Sequence, residues 1–313
     1  MDERLSGPAP RRSALLERPE WRRPGLAVFA YVALSFLPFA VTLGLLVLIA
    51  AASGDAFDLG RVLLALFVMR QINVFVVSTL YHRGVTHRSF RFHPALEWPL
   101  RVWGWLFLGA GTRTWALVHR HHHAHADTPE DCHSPSIPGE SFWTIGRQSK
   151  AAFLRASKDL SHLARYDRNL PDDRLERLIR WDEQHLYGVL GIRIPLVIAA
   201  LTGVYLLAGH GPLVALLAAL ATLPGINGST LAATMLLVNG AAHLWGYRNY
   251  DTADTSTNLV PVDLLGWGEA MHHNHHARPG CADMAARRWE WDPAFSVLKG
   301  LSKVGLVYNL KGR

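Results

Sequence analysis

The sequence is poor in cysteine and in charge. Only Cys132 and Cys281 carry thiols among its 313 residues, which excludes a disulfide framework and suits a reducing compartment. Charged residues make up 18% of the chain and hydrophobic residues 50%, so the chain is more apolar than an ordinary soluble domain. No G-x-G-x-x-G follows a predicted strand, and no nicotinamide or flavin site is expected. We expect part of the surface to face lipid.

Long uncharged runs are the first positive feature. Residues 26–52 carry no charge and exceed the roughly 20 residues that cross a hydrocarbon layer. This run is too long, and begins too far from Met1, to be a cleavable signal peptide. Residues 1–25 form a basic tail, which the positive-inside rule assigns to the cytoplasm.

Three further crossings are predicted, at residues 61–81, 191–209 and 212–244. The second run contains Arg70, Gln71 and Asn73, which predicts a polar face turned to the protein interior. The fourth run is expected to break at Pro224, Gly225, Asn227 and Gly228.

The apolar stretch of residues 98–111 is shorter than a span and contains Arg101, so it is expected to be interfacial or buried. Four crossings leave residues 82–185 and the segment after 245 on the cytoplasmic side. The sequence therefore predicts an all-α membrane protein, with residues 26–313 as one domain of four transmembrane helices and a cytosolic helical cap.

Seventeen histidines are a marked excess, and the first cluster, HRGVTH, contains His82 and His87. Residues five apart diverge by roughly 140° on a straight helix. These two could therefore share one metal only where the helix ends or distorts, or they could serve two adjacent metals.

The second cluster, HRHHH, places His119, His122 and His123 at i, i+3 and i+4 on one helical face. His122 and His123 still differ by about 100°, so each can reach toward a different ion. His121 and His125 fall off this face. A solvated basic patch near phospholipid headgroups is the alternative interpretation of this cluster alone.

The third cluster, HHNHH, repeats the same spacing at His272, His275 and His276. Two copies of H-x-x-H-H on one side of a membrane favour metal binding over a solvated patch. Near the end of the last span, Asn239 and His243 lie at i and i+4 on one helical face.

Nine imidazoles are too many for one ion and suit two. Structural zinc takes four ligands and prefers some thiolate, whereas imidazole-rich sites of higher coordination suit iron or another redox-active metal. A site with two nitrogen-ligated metals at a membrane surface points to dioxygen activation. The candidate ligands are His82, His87, His119, His122, His123, His243, His272, His275 and His276, with Asn239 binding directly or through a water.

Nearby carboxylates could accept the second ring N–H of these histidines and fix their orientation; they are Asp127, Glu130, Asp131 and Glu269. A ferritin-like di-iron site would instead use Glu-x-x-His pairs, here EDCH and EAMH. EDCH lies between Pro129 and Pro135 and cannot belong to a regular helix. A metal transporter or sensor is disfavoured because transporters bind cargo near the bilayer midplane, whereas these histidines lie beyond the helix ends.

HRGVTH, HRHHH and HHNHH resemble the three histidine boxes of the membrane fatty acid desaturases, and NGAAH resembles the Asn/His element on their fourth span. The likeness extends to HRSF, DTPED, HSP and GYRNYDTADTSTNLVP, and it runs from about Leu26 to near the C-terminus. Within the superfamily it is nearest to bacterial acyl-lipid and acyl-CoA Δ9-type desaturases. Such boxes are far more specific for the superfamily than for the substrate or product.

The resemblance implies two iron ions held by the nine histidines above a four-helix stem. It implies a reaction that uses O2 and two electrons to introduce a cis double bond into a long-chain acyl group, with a narrow apolar tunnel selecting the carbons. Hydroxylase, ketolase and acetylenase outcomes are alternatives on the same scaffold.

The sequence departs from the family pattern at two positions. Family members commonly have proline where Cys132 stands and a small polar residue where His273 stands; neither change removes a matched ligand. Cys132 could be a redox-sensitive thiol or a simple local substitution. The surplus histidines are expected to face solvent or to support the ligands; they are His93, His121, His125, His133, His162, His185, His210 and His273.

The expected partners follow from the implied reaction. The only lookalike of a fused cytochrome b5 motif, HPAL at His93, lacks that domain's paired glycines, so a separate ferredoxin, flavodoxin or reductase is expected to donate electrons. The acyl carrier could be CoA, phospholipid or acyl carrier protein, and no nucleic-acid partner is expected. The net charge of +7 suits an anionic membrane surface and an acidic donor; Arg147, Lys150, Arg155 and Lys158 contribute to it. We expect an integral protein of the bacterial inner (plasma) membrane, with the active site and both termini in the cytoplasm.

Overall fold

The fold is known from a computed structural model, in which residues 21–137, 140–185 and 191–312 are described. The predicted basic tail therefore lies mostly outside the described residues. Most of the described chain is helical, as predicted.

Three long helices are apolar enough to cross a membrane among the described residues: Pro24–Ser53, Leu59–Thr86 and Pro212–His243. The first is α1. The second comprises α2 (Leu59–Val76) and a π-helix (Val77–Thr86), and the third comprises α8 (Pro212–Leu223), a π-turn (Pro224–Gly228), α9 (Ser229–Leu231) and a second π-helix (Ala232–Val238). The other apolar helix, α7 (Arg193–Leu207), has 15 residues and is shorter than these three.

The predicted break at Pro224, Gly225, Asn227 and Gly228 is wrong, because the chain stays helical through them. A π-turn joins residues five apart and is wider than an α-turn, which accommodates the proline ring that would end an α-helix. Gly225 marks close helix packing. A Cβ there would lie 2.7 Å from Thr42 Oγ1 and 2.9 Å from Leu66 Cδ2, so glycine lets this helix approach α1 and α2.

The predicted polar face of the second long helix is confirmed. Arg70 is fully buried and donates to Leu265 O at 2.7 Å and to Ser35 Oγ at 3.0 Å. Asn73 donates to Thr230 Oγ1 at 3.1 Å and accepts from the Trp103 indole at 2.8 Å. These bonds satisfy polar groups that would be costly beside lipid and fix neighbouring helices around α2.

The remaining helices lie between and after these long helices. They are α3 (Pro94–Leu108), α4 (Thr112–His125), α5 (Ile145–Lys158), a 3₁₀ helix (Ser161–Tyr166), α6 (Arg174–Gln184), α10 (His272–Ala277) and α11 (Pro293–Lys303). Within α3, Arg101 is buried and donates to Asp173 at 2.5 Å and to Glu176 at 3.1 Å. This agrees with the expectation that residues 98–111 are interfacial or buried.

Two short antiparallel strand pairs were not predicted. β1 (Trp21–Arg22) pairs with β3 (Gly246–Tyr247), with Trp21 opposite Tyr247. β2 (Arg91–Phe92) pairs with β4 (Val307–Tyr308). Each pair is only two residues long, so alternating hydrophobicity could not reveal it. The strands tie both ends of the described chain to the segments that carry the histidines.

Candidate metal centre

The nine predicted histidines converge in two adjacent groups, within each of which one potential ligand atom per residue lies within 4.8 Å of the others. The five-histidine group consists of His82, His87, His119, His123 and His275. The four-histidine group consists of His122, His243, His272 and His276. Segments far apart in sequence thus bring their imidazoles together, as the spacing of the clusters predicted.

The first cluster meets the condition that its helix must distort. The helix becomes π-helical at Val77–Thr86, and the His87 N–H donates to His82 O at 3.1 Å, a bond between residues five apart. The two rings consequently lie on one side, with centroids 5.1 Å apart. Both histidines therefore belong to the same group.

Adjacent histidines reach different groups, as the angle of about 100° between helical neighbours suggested. On α4, His119 and His123 belong to the five-histidine group and His122 to the four-histidine group. On α10, His275 belongs to the former and its neighbour His276 to the latter. Each H-x-x-H-H motif therefore contributes to both groups.

His243 and Asn239 lie where the last long helix ends. The chain there passes into a 3₁₀ turn (Ala241–His243), and His243 Nε2 lies 3.1 Å from His272 Nε2. Asn239 turns its amide nitrogen toward Met235 Sδ at 3.7 Å. It also lines a small cavity with His82 and His119, so a ligand role for Asn239 stays a prediction.

The ring nitrogens are spaced as metal ligands require. Two nitrogens at right angles about an ion, with bonds of about 2.1 Å, lie about 3.0 Å apart. His275 Nε2 lies 2.8 Å from His82 Nε2 and 2.9 Å from His123 Nε2. The Nε2 atoms of His122 and His276 are buried without a hydrogen-bond partner. This donor set fits two metal ions.

Carboxylates hold the opposite nitrogen of four of these rings. Glu269 lies 2.7 Å from Nδ1 of His82, and Asp131 lies 2.8 Å from Nδ1 of His122. Asp127 lies 3.2 Å from Nδ1 of His243, and Asp254 lies 3.2 Å from Nδ1 of His276. Because a carboxylate only accepts, each Nδ1 carries the proton, which leaves the Nε2 lone pair for a metal.

Three of these carboxylates were predicted and one was missed. The missed residue, Asp254, belongs to the segment GYRNYDTADTSTNLVP and lies 22 residues before His276. This separation is too long for helical or strand periodicity to predict a contact between the two. Glu130, which was predicted for the same role, pairs instead with Nδ1 of His125 at 2.7 Å. Its side chain is 69% exposed, so it lies outside the buried cluster.

The electrostatics favour the neutral form of several of these imidazoles, whereas the carboxylates around His122 outweigh its burial and raise its pKa. Burial lowers the pKa of His119, His123 and His272 well below its ordinary value, and the neighbouring histidines lower it further. Burial alone would raise the pKa of Asp131, but His122 and His133 together outweigh it and the pKa falls. Neutral rings offer lone pairs, and the anions offset the charge of bound cations.

Arg83 is a second residue that the sequence analysis missed. It is 1% exposed and donates to Asp292 at 2.6 Å and to Trp267 O at 2.6 Å. Gly268, which follows Trp267, has a φ of 97°, and a Cβ there would lie 2.6 Å from Asp292 Oδ1. Arg83 thus fixes the backbone just before Glu269. Its position inside HRGVTH was the available signal.

The surplus histidines divide between the surface and the surroundings of the two groups. His121 and His125, which were predicted to lie off the ligand face, pack against each other with ring centroids 4.8 Å apart. His133 and His273 are buried, and the His133 ring lies 4.6 Å from that of His122. Since EDCH lies between α4 and α5 and outside both, it does not form the helical Glu-x-x-His pair of a ferritin-like site.

A small cavity touches the five-histidine group. Besides His82, His119 and Asn239, its lining is mainly apolar and includes Val77, Trp115, Phe153, Met235 and Val238. These side chains come from the second long helix, α4, α5 and the last long helix. An apolar ligand at this position would meet the imidazole cluster directly.

Comparison with known proteins agrees with this geometry. The sequence model of the fatty acid desaturase family matches residues 56–292. The chain is 30% identical to a probable chloroplast lipid desaturase of Arabidopsis thaliana over 77% of its own length and 61% of the relative's. It is 31% identical to an acyl-CoA 5-desaturase of Anemone leveillei over 79% and 71% of the two lengths. It is 30% identical to an sn-1 stearoyl-lipid 9-desaturase of Anabaena variabilis over 74% and 76%.

The family match covers all three histidine boxes and the whole of two of the three long apolar helices. The chain therefore belongs to the fatty acid desaturase family of oxidoreductases and is a membrane protein.

Proposed function

We propose that the protein introduces a cis double bond into a long-chain fatty acyl group. One O2, two electrons and two protons are consumed, two hydrogens leave adjacent carbons, and two waters form. The observation that carries this proposal is the convergence of nine buried or half-buried histidines in two groups, one of which lines an apolar cavity. Family membership supports the same reaction.

Two iron ions are the proposed cofactor, one in each histidine group, and they would supply the activation of O2. Asn239 is proposed to contact one ion directly or through a water. The chain's own contribution is orientation. The carboxylates on Nδ1 fix the ligating tautomer, and Arg83 fixes the backbone that carries Glu269.

The acyl chain is proposed to occupy the apolar cavity, with the reacting carbons held beside His82 and His119. Val77, Phe153 and Met235 line this cavity and would exclude water from the reacting carbons. We assign the double bond to position 9, the position for which the Anabaena relative is named. The Anemone relative is named for position 5, so the position is the first quantity to measure.

We further propose four crossings of a bacterial inner membrane, with α7 as the third and the histidines on the cytoplasmic side. The turns that follow α1 and α7 meet, since His210 Nδ1 lies 3.3 Å from Asp55. This contact supports placing the turns of both helical hairpins on the same side of the membrane. A cysteine placed at Gly54 in a Cys132→Ser/Cys281→Ser background should react with an impermeant thiol reagent in intact cells, whereas one at Lys303 should not. Reaction of both positions, or of Lys303 alone, would contradict this topology.

A separate ferredoxin or reductase is the proposed electron donor. The proposed substrate is an acyl group carried on CoA, phospholipid or acyl carrier protein, and the names of the relatives include both acyl-CoA and acyl-lipid desaturases.

The decisive experiment is expression of the full chain in a host that lacks desaturases, followed by mass spectrometry of its lipids with localisation of the double bond. We expect a new cis-monounsaturated acyl chain, and none from a His275→Ala variant. A hydroxylated or acetylenic product would replace the proposed outcome with another of the same scaffold. A lipid profile identical to that of the empty host, from protein that contains iron and receives electrons, would refute the proposal.

A further inference from the structure

His273 lies inside the third histidine cluster but belongs to neither histidine group. It is fully buried, and its ring contacts the loop of residues 250–256. Tyr250 N lies 2.9 Å from its Nε2, and Ser256 Oγ lies 3.1 Å from its Nδ1. A buried imidazole that bonds a loop at both ring nitrogens can hold that loop in place.

These contacts form a continuous chain of hydrogen bonds to a candidate ligand. Nε2 of His273 lies near both Tyr250 N, at 2.9 Å, and Tyr250 O, at 3.1 Å. The Ser256 hydroxyl gives its proton to Asp254 Oδ1, so its oxygen accepts from Nδ1–H of His273, and Nε2 of the neutral ring accepts from the Tyr250 N–H. Asp254 Oδ2 accepts from Nδ1 of His276 at 3.2 Å. Every proton along this path has one donor and one acceptor.

Asp254 needs such support more than the other carboxylates do. Its side chain is 14% exposed, compared with 6% for Glu269 and 0% for Asp131. It belongs to a loop whose residues Asp251 and Ala253 are exposed. A carboxylate on an exposed loop can leave its histidine unless the loop is fixed from the buried side.

We propose that His273 is a positioning residue, which holds residues 250–256 against α10 so that Asp254 faces His276 and sets the metal affinity of the four-histidine group. The inference rests on the proposed function only in requiring that each histidine group binds a metal ion. Arg248 also holds this loop, through Asp254 O at 2.7 Å and Thr252 O at 2.8 Å. Arg248 donates to carbonyl groups and to the Thr252 hydroxyl, whereas His273 contacts the Tyr250 N–H and the Ser256 hydroxyl that binds the carboxylate.

The test is titration of the metal-free full chain in detergent with Co(II) alone, followed by the visible absorption of bound Co(II). The unmodified protein should bind two equivalents. His273→Ala should weaken one equivalent by about tenfold or more, the range seen when an outer hydrogen-bond partner of a ligand is removed, and leave the other unchanged. His273→Gln keeps an acceptor for Tyr250 N–H and should restore part of the loss. His125→Ala, outside both groups, is the matched control and should bind as the unmodified protein does.

A double-mutant comparison separates positioning from a general structural defect. If His273 acts through Asp254, the His273→Ala/Asp254→Asn protein should bind no more weakly than Asp254→Asn alone. Equal weakening of both equivalents, or fully additive losses, would overturn the inference. Should His273→Ala fail to fold, Ser256→Ala interrupts the same hydrogen-bond chain with a smaller change in volume.

The two proposals fail in different ways. Unmodified protein that binds fewer than two equivalents would overturn the two-metal function and this inference with it. Unmodified protein that binds two equivalents, together with unchanged stepwise affinities in His273→Ala, would overturn the inference alone.

Discussion

The two histidine groups use the same ligand type but differ in their surroundings. Among the described residues, the five-histidine group has one carboxylate on a ring Nδ1, Glu269, whereas the four-histidine group has three, Asp127, Asp131 and Asp254. A carboxylate bonded to Nδ1 makes the imidazole a more basic metal ligand. The four-histidine group has fewer rings, but it has more negative charge around it. We therefore expect the two proposed metal positions to be tuned separately, one by ligand number and one by ligand basicity.

The largest expected effect comes from removing one ring from each group. His275 lies between His82 and His123 in the five-histidine group, and His122 belongs to the four-histidine group. His275→Ala and His122→Ala should each lose one of two metal equivalents and all desaturation, because the proposed reaction needs both ions. Metal content and product formation measure this.

His121→Ala is the matched control for these variants, because His121 lies on the same helix as His122 but outside both groups. It should keep two equivalents and form product. Product formation by His275→Ala or His122→Ala would contradict the ligand assignment, and loss of both equivalents from either variant would show that the groups do not bind independently.

A smaller effect is expected from the carboxylates, and it tests the comparison directly. Glu269→Gln and Asp131→Asn should each weaken one equivalent by about 10–100-fold, the usual cost of losing such a partner. The His275→Ala background leaves only the four-histidine position occupied. In that background Asp131→Asn should still weaken binding, and Glu269→Gln should not.

Each of the two carboxylate variants is titrated with Co(II) in the otherwise unmodified protein and in the His275→Ala protein. These four titrations give the affinities required. If Glu269→Gln weakened the equivalent that remains in His275→Ala, the carboxylates would act on the whole cluster through its total charge. The separate tuning of the two groups would then be wrong.

The sequence was most informative where function depends on helical spacing. The H-x-x-H-H motifs predicted which histidines come together and that neighbours such as His122 and His123 reach toward different groups, because rotation per residue is fixed in a helix. For His82 and His87, the sequence predicted only that they could share a metal if the helix ended or distorted there. Whether a helix widens to a π-turn depends on its tertiary surroundings, which hydrophobic periodicity does not report.

The sequence was less informative where contacts join distant segments. Asp254 and Arg83 act through partners that only the tertiary fold brings near, His276 for the one and Asp292 for the other. The expected break at Pro224 failed for a related reason. Proline predicts the end of an α-helix, but close packing of Gly225 against Thr42 and Leu66 accompanies a wider helical turn at that point.

The smallest expected effect concerns Cys132, the one thiol beside the four-histidine group. Its Sγ lies 3.3 Å from His133 Nδ1, close enough to raise the question of whether sulfur contributes to that position. Burial, and after it the charge of Asp131, raises the pKa of this thiol well above its ordinary value. The uncharged thiol is a poor ligand compared with a thiolate.

Cys132→Ser should therefore change the free energy of unfolding by about 1 kcal/mol or less and leave both metal affinities and product formation unchanged. The Co(II)-loaded protein should also lack a sulfur-to-metal charge-transfer band. A band that disappears in Cys132→Ser would identify sulfur as a ligand, and the difference between the two groups would then lie in ligand type as well as in carboxylate number.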